Sequence, residues 1–480
     1  MEKIITNNDV FDEGAFILNE NCSSDPVIIR CSNVFLTQVD NKALKEEILS
    51  LIINTQSVLK ICSFILTDRE IFEKLLERAK SCQIAIFILT QLDNSKLINT
   101  SLLTEEEFVE QTNATHLSYI KTLYDNGAHV RASDSAHAKF IISDREIGFI
   151  MSANITTPSL TLNTESGVHI DSQDVGSLDN LFDVIFQKGT LYRQYISSSR
   201  KAKGFVVQTD ITIKKEWLPE SAESRIRYSY EELTHNLYEE IIALIKTAKE
   251  YIYISTYSIV KLENLPEFVT EIKNARIRGV NIFIFCRGMN HRSDHLLGCN
   301  ILAKLGCVIY ADTFNHSKGI INEFKGLLFT ANIDGTHGLK NGFEVGYLLN
   351  EAQRKDFLEI HKHLIKTSPY VFNQQPLRRQ LFDAYLLIEQ MKDHKVPTFE
   401  DDIVVSVKKD LLGQNSSIES LPLIFGKSKD KVPQNYILAG NLCLKCTYEK
   451  GTFIVTEKVQ MNYKLEKHII KYKNLKILYT

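Results

Sequence analysis

The sequence predicts an α/β fold of two tandem halves followed by a small β-rich segment. Three observations carry this. A short polar motif occurs twice, strands and helices alternate in the same order around both copies, and the composition changes after Pro376. Alternating β and α runs call for a sheet layered by helices. The expected division is residues 1–195 for a first half with an N-terminal β extension, 196–370 for a second half and 376–480 for a basic accessory domain.

Composition bounds the alternatives. With 480 residues, 44% hydrophobic and 24% charged, the chain suits a soluble globular protein of two or three domains. No apolar run has membrane-spanning length, and the first residues lack the basic and apolar regions of a signal peptide. Nine scattered cysteines, an odd count, point to reduced thiols in a cytoplasmic setting. The formal net charge of −3 excludes a general basic coat, so a polyanion site must be a local patch.

In chain order, β-like runs at Ala15-Phe-Ile-Leu, Val27-Ile-Ile-Arg and Val34-Phe-Leu-Thr precede a helix from Asn41 to about Asn54. Strand Leu59–Leu66, a helix around Ile71–Lys80 and strand Ile84–Leu89 follow. Gln91 to Asn113 reads as a polar excursion, and a helix from about His116 stops at Gly127. Strands Ala136–Ile142, Ile147–Ser152 and Gly167–Ile170 carry the first motif, and an amphipathic helix over Leu178–Gln187 closes the half. Ser197–Gly204 has linker composition, and Phe205–Trp217 alternates as a strand.

The order then repeats. Helices are expected at Glu231–Lys249, at Phe268–Ala275 and before Gly306, with strands at Tyr251–Thr256 and Val280–Phe285. A helix over Asp356–Ile365 closes the second half. The repeat covers roughly residues 42–187 and 229–366. Between Ala79 and Gly127 the first half is 17 residues longer than the second between Ala275 and Gly306, so the Gln91–Asn113 excursion is a candidate substrate-facing loop. After Pro376 a helix at Arg378–Lys392 leads into alternating runs such as Ile403–Val407 and Thr452–Thr456. From Pro376 to Thr480 there are 17 Lys/Arg and 12 Asp/Glu, a local net charge of +5.

The motif runs His137-Ala-Lys139-x4-Asp144, then Ser152-Ala-Asn154, with Glu165 28 positions after His137. Its second copy runs His316-Ser-Lys318-x4-Glu323, then Thr330-Ala-Asn332, with Glu344 28 positions after His316. Residues i and i+2 of a strand share a face, so each His projects with its Lys. If Ser152 and Asn154 lie on an adjacent strand they join the same patch, and Glu165 reaches one imidazole nitrogen; Thr330, Asn332 and Glu344 repeat the set. Two such sets facing one cleft suit an anionic phosphorus centre. Lysine charge and Asn N–H groups hold non-bridging oxygens. One His attacks phosphorus and the other protonates the leaving oxygen, tasks suited to a pKa near neutrality. No Asp, Glu, His and Cys cluster with metal-ligand spacing accompanies the motifs, so Lys rather than a metal or cofactor is expected to supply positive charge.

These residues resemble the signature of the phospholipase D superfamily, His-x-Lys-x4-Asp followed by Gly-Ser-x-Asn. The first copy matches from His137 through Asp144, with Met151 in place of the Gly. The second departs at Glu323, Phe329 and Thr330, and its spacing is one residue shorter. The resemblance covers roughly residues 40–370. It implies two phospholipase-D-like α/β/α halves related by pseudo-twofold symmetry, one shared site and a metal-independent two-step phosphodiester mechanism. It also implies that Asp144 and Glu323 support structure while the later acids touch the catalytic His, with His137 the nucleophile and His316 the acid.

Further basic residues are candidates for phosphate contact: Arg276, Arg278, Arg287, Arg292 and Lys340 around the second half, and Lys464, Lys467 and Lys471 among the tyrosines of the tail. The tail suits either a single-stranded nucleic-acid surface or a Lys-rich protective edge, and it is a candidate protein-partner surface. His169 and His337 read as bystanders, and Cys443-x-x-Cys446 reads as two free thiols rather than a zinc half-site. The expectation is a nuclease acting on DNA, or on RNA. The alternatives are a phospholipase D or phosphatidyltransferase acting on lipid diesters, and a catalytically silent nucleic-acid binding protein.

Overall fold

Leu59, Ile61 and Cys62 are fully buried in the strand Val58–Cys62, which pairs parallel with Ala85–Thr90 on one side and antiparallel with Phe140–Ser143 on the other. A strand covered on both faces buries its apolar side chains, and the one charge among them, Lys60, is buried against Asp179 at 2.5 Å. The computed structural model describes residues 2–6, 8–11, 14–23, 31–92, 109–133, 136–189, 193–196, 205–207, 213–220, 224–290, 292–381, 384, 402–412, 424–427, 434–439, 442–460, 466–469 and 474–480. Among these, no helix is long and apolar enough to cross a membrane.

The chain forms two compact units, one of residues 25–286 and 314–365, the other of residues 1–24, 287–313 and 366–480. In the first unit a sheet runs, in spatial order, through Ala85–Thr90, Val58–Cys62, Phe140–Ser143, Ile147–Met151, Glu165–His169, Phe35–Gln38 and Asn41–Lys42. Beyond Ala85–Thr90 it continues into His129–Ala132, Arg193–Ile196 and Phe205–Val207. A second sheet repeats the seven-strand order with Asn281–Arg287, Tyr251–Ser255, Gly319–Asn322, Gly326–Phe329, Phe343–Leu348, Ile226–Tyr230 and Thr234–His235. The recurrence therefore starts earlier than the sequence pattern indicates, at Phe35 and Ile226. The helices recur too. Ala43–Asn54 buries Leu44, Ile48, Leu51 and Ile52, and Asn236–Thr247 buries Leu237, Ile241, Leu244 and Ile245, the stripe of a helix lying on a sheet. Asp68 accepts the Ile71 N–H at 3.1 Å and starts the helix Arg69–Ser81, which Cys82 ends in the left-handed region at φ 53°.

The other unit holds an eight-stranded sheet ordered Glu2–Thr6, Asn474–Tyr479, Ile403–Val407, Thr452–Val459, Leu442–Glu449, Asn435–Ala439, Ile424–Lys427 and Glu466–Ile469. Val405, Leu444, Phe453, Leu475 and Ile477 lie in its apolar core. The same unit contains the helix Ser293–Lys304 and the antiparallel strands Val308–Asp312, Tyr370–Asn373 and Ala15–Leu18.

Several local expectations are corrected. Among the described N-terminal strands, Phe35–Gln38 joins the first half, while Glu2–Thr6 pairs with Asn474–Tyr479 and Ala15–Leu18 with Tyr370–Asn373; the run at Val27 lies outside the described residues. A strand of four or five residues satisfies its backbone on any free edge, so its pattern does not name its partner. Within the Phe205–Trp217 run, Phe205–Val207 is strand and Lys215–Trp217 a 3-10 turn, while residues 208–212 lie outside the described residues. The helix before Gly127 begins at Val109, seven residues earlier than expected, while residues 93–108 of the excursion and the linker 197–204 lie outside the described residues. Cys443 and Cys446 are both buried free thiols on Leu442–Glu449, where a bulge between Lys445 and Cys446 resets the alternation.

Candidate active site

His137 and Lys139 stand just before the strand Phe140–Ser143 rather than within it, and Asn154 just after Ile147–Met151. Glu165 is the first residue of Glu165–His169, and Glu344 the second of Phe343–Leu348. Two isolated parallel bridges join the repeats. Ala136, beside His137, pairs with Phe343, beside Glu344, and Thr164, beside Glu165, pairs with Asn315, beside His316. The His316 N–H donates to the Thr164 carbonyl at 2.9 Å.

These bridges exchange the acids between the halves. His137 Nδ1 lies 2.5 Å from Glu344 Oε1, and His316 Nδ1 lies 2.7 Å from Glu165 Oε1. Both rings have the expected carboxylate, but each takes it from the other repeat. The second oxygen of each acid accepts a hydroxyl, Ser152 Oγ to Glu165 Oε2 at 2.5 Å and Thr330 Oγ1 to Glu344 Oε2. Those hydroxyls in turn accept the N–H of Ser166 and Val345, both at 3.0 Å. Thr330 thus does the work of Ser152.

Lys139 Nζ donates to the His137 carbonyl, and Lys318 Nζ to the His316 carbonyl at 2.7 Å. Each Nζ also lies 3.2 or 3.1 Å from its neighbour's Nδ1. An Nδ1 that donates to a carboxylate cannot also accept, so the Nδ1 proton goes to the acid and the Nε2 lone pair is left free. Burial is the largest influence on both rings and pushes their pKa values down, that of His316 to about 4, against the opposing pull of the carboxylates. Burial also lowers Lys139. For Glu165 and Glu344 burial works upward, yet the paired His, the lysines and the hydroxyls outweigh it and hold both below the usual carboxylate range. The resting centre therefore combines neutral imidazoles with ionised acids. It is unequal in access: 30% of the His137 side chain is exposed against 9% for His316.

Asp144 and Glu323 take another role. Asp144 accepts the N–H groups of Gln56, Ser57 and Val58 at 2.6–3.0 Å, and Glu323 accepts that of Lys249. Each acid satisfies backbone at the end of the helix that precedes its half's first parallel strand, far in sequence and away from the imidazoles. Asn154 and Asn332 each keep a buried Oδ1 without a protein partner, leaving both amides uncommitted.

Two further sets of residues recur beside the motifs and escaped the sequence pattern. Gly167 and Gly346 each follow a glutamate by two positions. A Cβ on Gly167 would meet Leu44 at 2.6 Å and Phe149 at 2.7 Å, and one on Gly346 would meet Leu237 at 2.7 Å. The shared Glu-x-Gly spacing was the available signal. Phe64 and Tyr257 lie edge-on to His137 and His316, and the long insertion between Phe64 and His137 in the first half hides their equivalence.

The basic candidates disperse. Arg276 donates to the Val280 carbonyl and Arg278 to that of Ile245, both as backbone supports. Arg287 is buried, Arg292 pairs with Asp294 at 2.8 Å, and both belong to the other compact unit. Lys340 Nζ sits 4.8 Å over the Tyr238 ring, and His169 bonds Glu47 at 2.9 Å. Lys464 and Lys471 lie outside the described residues; Lys467 is described only as backbone in Glu466–Ile469.

Residues 48–186 match the family described as "Cardiolipin synthase, PLD-like domain". No curated protein sequence matches the chain. Phosphatidylserine synthase from Haemophilus influenzae Rd KW20 is similar in fold, with TM-score 0.50 and 12% identity over 81% of this chain and 96% of that one. Polyphosphate kinase from Porphyromonas gingivalis matches with TM-score 0.46 and 13% identity over 68% of this chain, which spans only 46% of the kinase. The phospholipase D family member NUC from Salmonella typhimurium matches with TM-score 0.26 and 20% identity over 30% of this chain and 95% of that one. Residues 48–186 are thus a phospholipase D-like domain by sequence match.

Proposed function

We propose that the protein is a metal-independent phosphodiesterase, and specifically a nuclease, working through a covalent phosphohistidine at one centre that both halves share about a pseudo-twofold axis. The crossed His137–Glu344 and His316–Glu165 pairs carry this proposal, because each half then supplies what the other's imidazole needs. Lys139, Lys318, Asn154 and Asn332 hold the non-bridging oxygens of the diester. His137, the more exposed ring, attacks: its Nε2 lone pair forms the N–P bond as the P–O bond to the leaving group breaks. His316 gives its Nε2 proton to the leaving oxygen. The phosphodiester's negative charge raises the depressed pKa of His316 on binding and so protonates it. Water then attacks phosphorus, His316 takes back a proton, and the N–P bond breaks to release a phosphomonoester.

Nucleic acid is the favoured diester because of the net +5 charge between Pro376 and Thr480. The full chain, incubated in EDTA with single- and double-stranded DNA and RNA and quenched in acid, tests this. The expected result is cleavage, with substrate trapped on His137 in a His316→Ala variant. No cleavage, with His137→Ala indistinguishable from the unaltered chain, refutes it. A second proposal, phosphatidyl transfer or phospholipase D activity on lipid diesters, is favoured by the fold likeness to phosphatidylserine synthase over 81% of this chain. Phosphatidate release or head-group exchange in liposomes, without nucleic-acid cleavage, selects it. DNA binding with no trapped intermediate on either His indicates a catalytically silent binding protein.

A further inference from the structure

Phe64 lies 5.3 Å from the His137 ring, centroid to centroid, at an interplanar angle of 67°. Tyr257 lies 5.2 Å from the His316 ring, also at 67°. Ordinary core packing does not call for the same distance and tilt twice from different residue types. Both aromatics stand two residues beyond a central parallel strand, Val58–Cys62 or Tyr251–Ser255, and both are about nine-tenths buried.

The main chain under each aromatic is pinned in the same manner. The Ser63 N–H donates to the Leu89 carbonyl at 3.1 Å, and the Thr256 N–H to the Phe285 carbonyl at 3.0 Å. The Ser63 hydroxyl donates to the Ile65 carbonyl at 2.8 Å and accepts the Ile155 N–H at 3.2 Å. The Thr256 hydroxyl donates to the Ser258 carbonyl at 3.0 Å and accepts the Ile333 N–H at 3.1 Å. Ile155 and Ile333 directly follow Asn154 and Asn332. One hydroxyl therefore couples the aromatic to the amide in each half.

We infer that Phe64 and Tyr257 are positioning residues for His137 and His316. The carboxylate holds each imidazole at Nδ1 alone, and a ring held at one point still rocks about its Cβ–Cγ bond. An aromatic ring packed against the imidazole at a fixed tilt removes that freedom and keeps Nε2 aimed at the reacting phosphorus. Tyr257→Phe and Phe64→Tyr preserve the ring and with it the function; an aliphatic side chain of similar bulk fills the space but does not hold the tilt.

This inference rests on the proposed roles of His137 and His316, so its test has a readout that needs no substrate. Chains labelled with 15N-histidine are prepared as the unaltered protein, Phe64→Leu, Phe64→Tyr, Tyr257→Leu and Tyr257→Phe, with Phe64→Met and Tyr257→Met if a Leu variant does not fold. The expected result is loss of the single Nδ1–H tautomer signature at His137 in Phe64→Leu and at His316 in Tyr257→Leu, with the other ring unchanged and the aromatic variants like wild type. On whichever diester the chain cleaves, kcat falls roughly 3- to 10-fold in the Leu variants with KM nearly constant. Unchanged 15N signatures in both Leu variants overturn the inference, as does a kcat loss in the aromatic variants equal to that in the Leu variants. If the signatures change as expected but no diester is cleaved, the positioning role stands and the proposed activity fails.

Discussion

Replacing Glu165 with Gln tests the exchange of acids most directly. Glu165 sits in the repeat of His137 yet bonds His316, with Oε1 2.7 Å from Nδ1 and Oε2 2.5 Å from Ser152 Oγ. The amide retains one acceptor oxygen for two donors that now compete for it, and its NH2 faces either the Nδ1 proton or the Ser152 hydroxyl. The imidazolium of His316 also loses its compensating charge, since Glu165 is what opposes burial and Lys318 in setting its pKa. At rest His316 is neutral, so the variant loses a hydrogen bond to a charged acceptor, at a cost of about 1.5–3 kcal/mol. Loss of an oriented general acid lowers turnover by roughly 10²–10⁴-fold. In 15N-histidine NMR the altered resonances should be those of His316, with His137 at wild-type positions, and Glu344→Gln should give the opposite pattern. In acid-quench trapping, Glu165→Gln should still load His137 with substrate carrying a good leaving group, whereas Glu344→Gln should not. A Glu165→Gln spectrum in which His137 changes and His316 does not would refute the exchanged pairing.

Other outcomes follow from single contacts. Gly338 has φ +88°, and a Cβ there would stand 3.0 Å from Glu344 Oε1; Gly338→Ala should therefore displace the acid behind His137 and lower kcat more than it lowers the melting temperature. Asp144→Ala removes the acceptor of three backbone N–H groups and should cost about 1–3 kcal/mol in urea titrations, while leaving the phosphohistidine trappable. Burial depresses His316 to about 4 from 6.5, so between those pH values the unfolded chain binds more protons than the folded one. Stability should then rise with pH across that window, by about 3 kcal/mol from this group, and His316→Gln should flatten that part of the urea-midpoint profile.

Sequence alone determined which side chains make up the candidate site. The candidate residues His137, Lys139, Asn154 and Glu165 and their counterparts His316, Lys318, Asn332 and Glu344 were legible because they recur at matching intervals on or beside short adjacent strands, where spacing along the chain maps onto distance in space. The alternation of strands and helices was legible for the same reason, since periodicity is local. Thr330 could be equated with Ser152 because both put a hydroxyl at one step of that interval.

Only the tertiary structure decided who pairs with whom. Glu165 and Glu344 read equally well as partners of the nearer motif, and the exchange arises from two long-range bridges, Ala136 to Phe343 and Thr164 to Asn315, that no local pattern encodes. Phe64 and Tyr257 stayed hidden because their distances to the motifs differ along the chain, although their distances to the imidazoles nearly coincide. Glu2–Thr6 joins Asn474–Tyr479 because an edge strand accepts any chain that completes its hydrogen bonds. Side-chain chemistry is written residue by residue. Partnership between distant strands is settled by which closure buries the most backbone and apolar surface together.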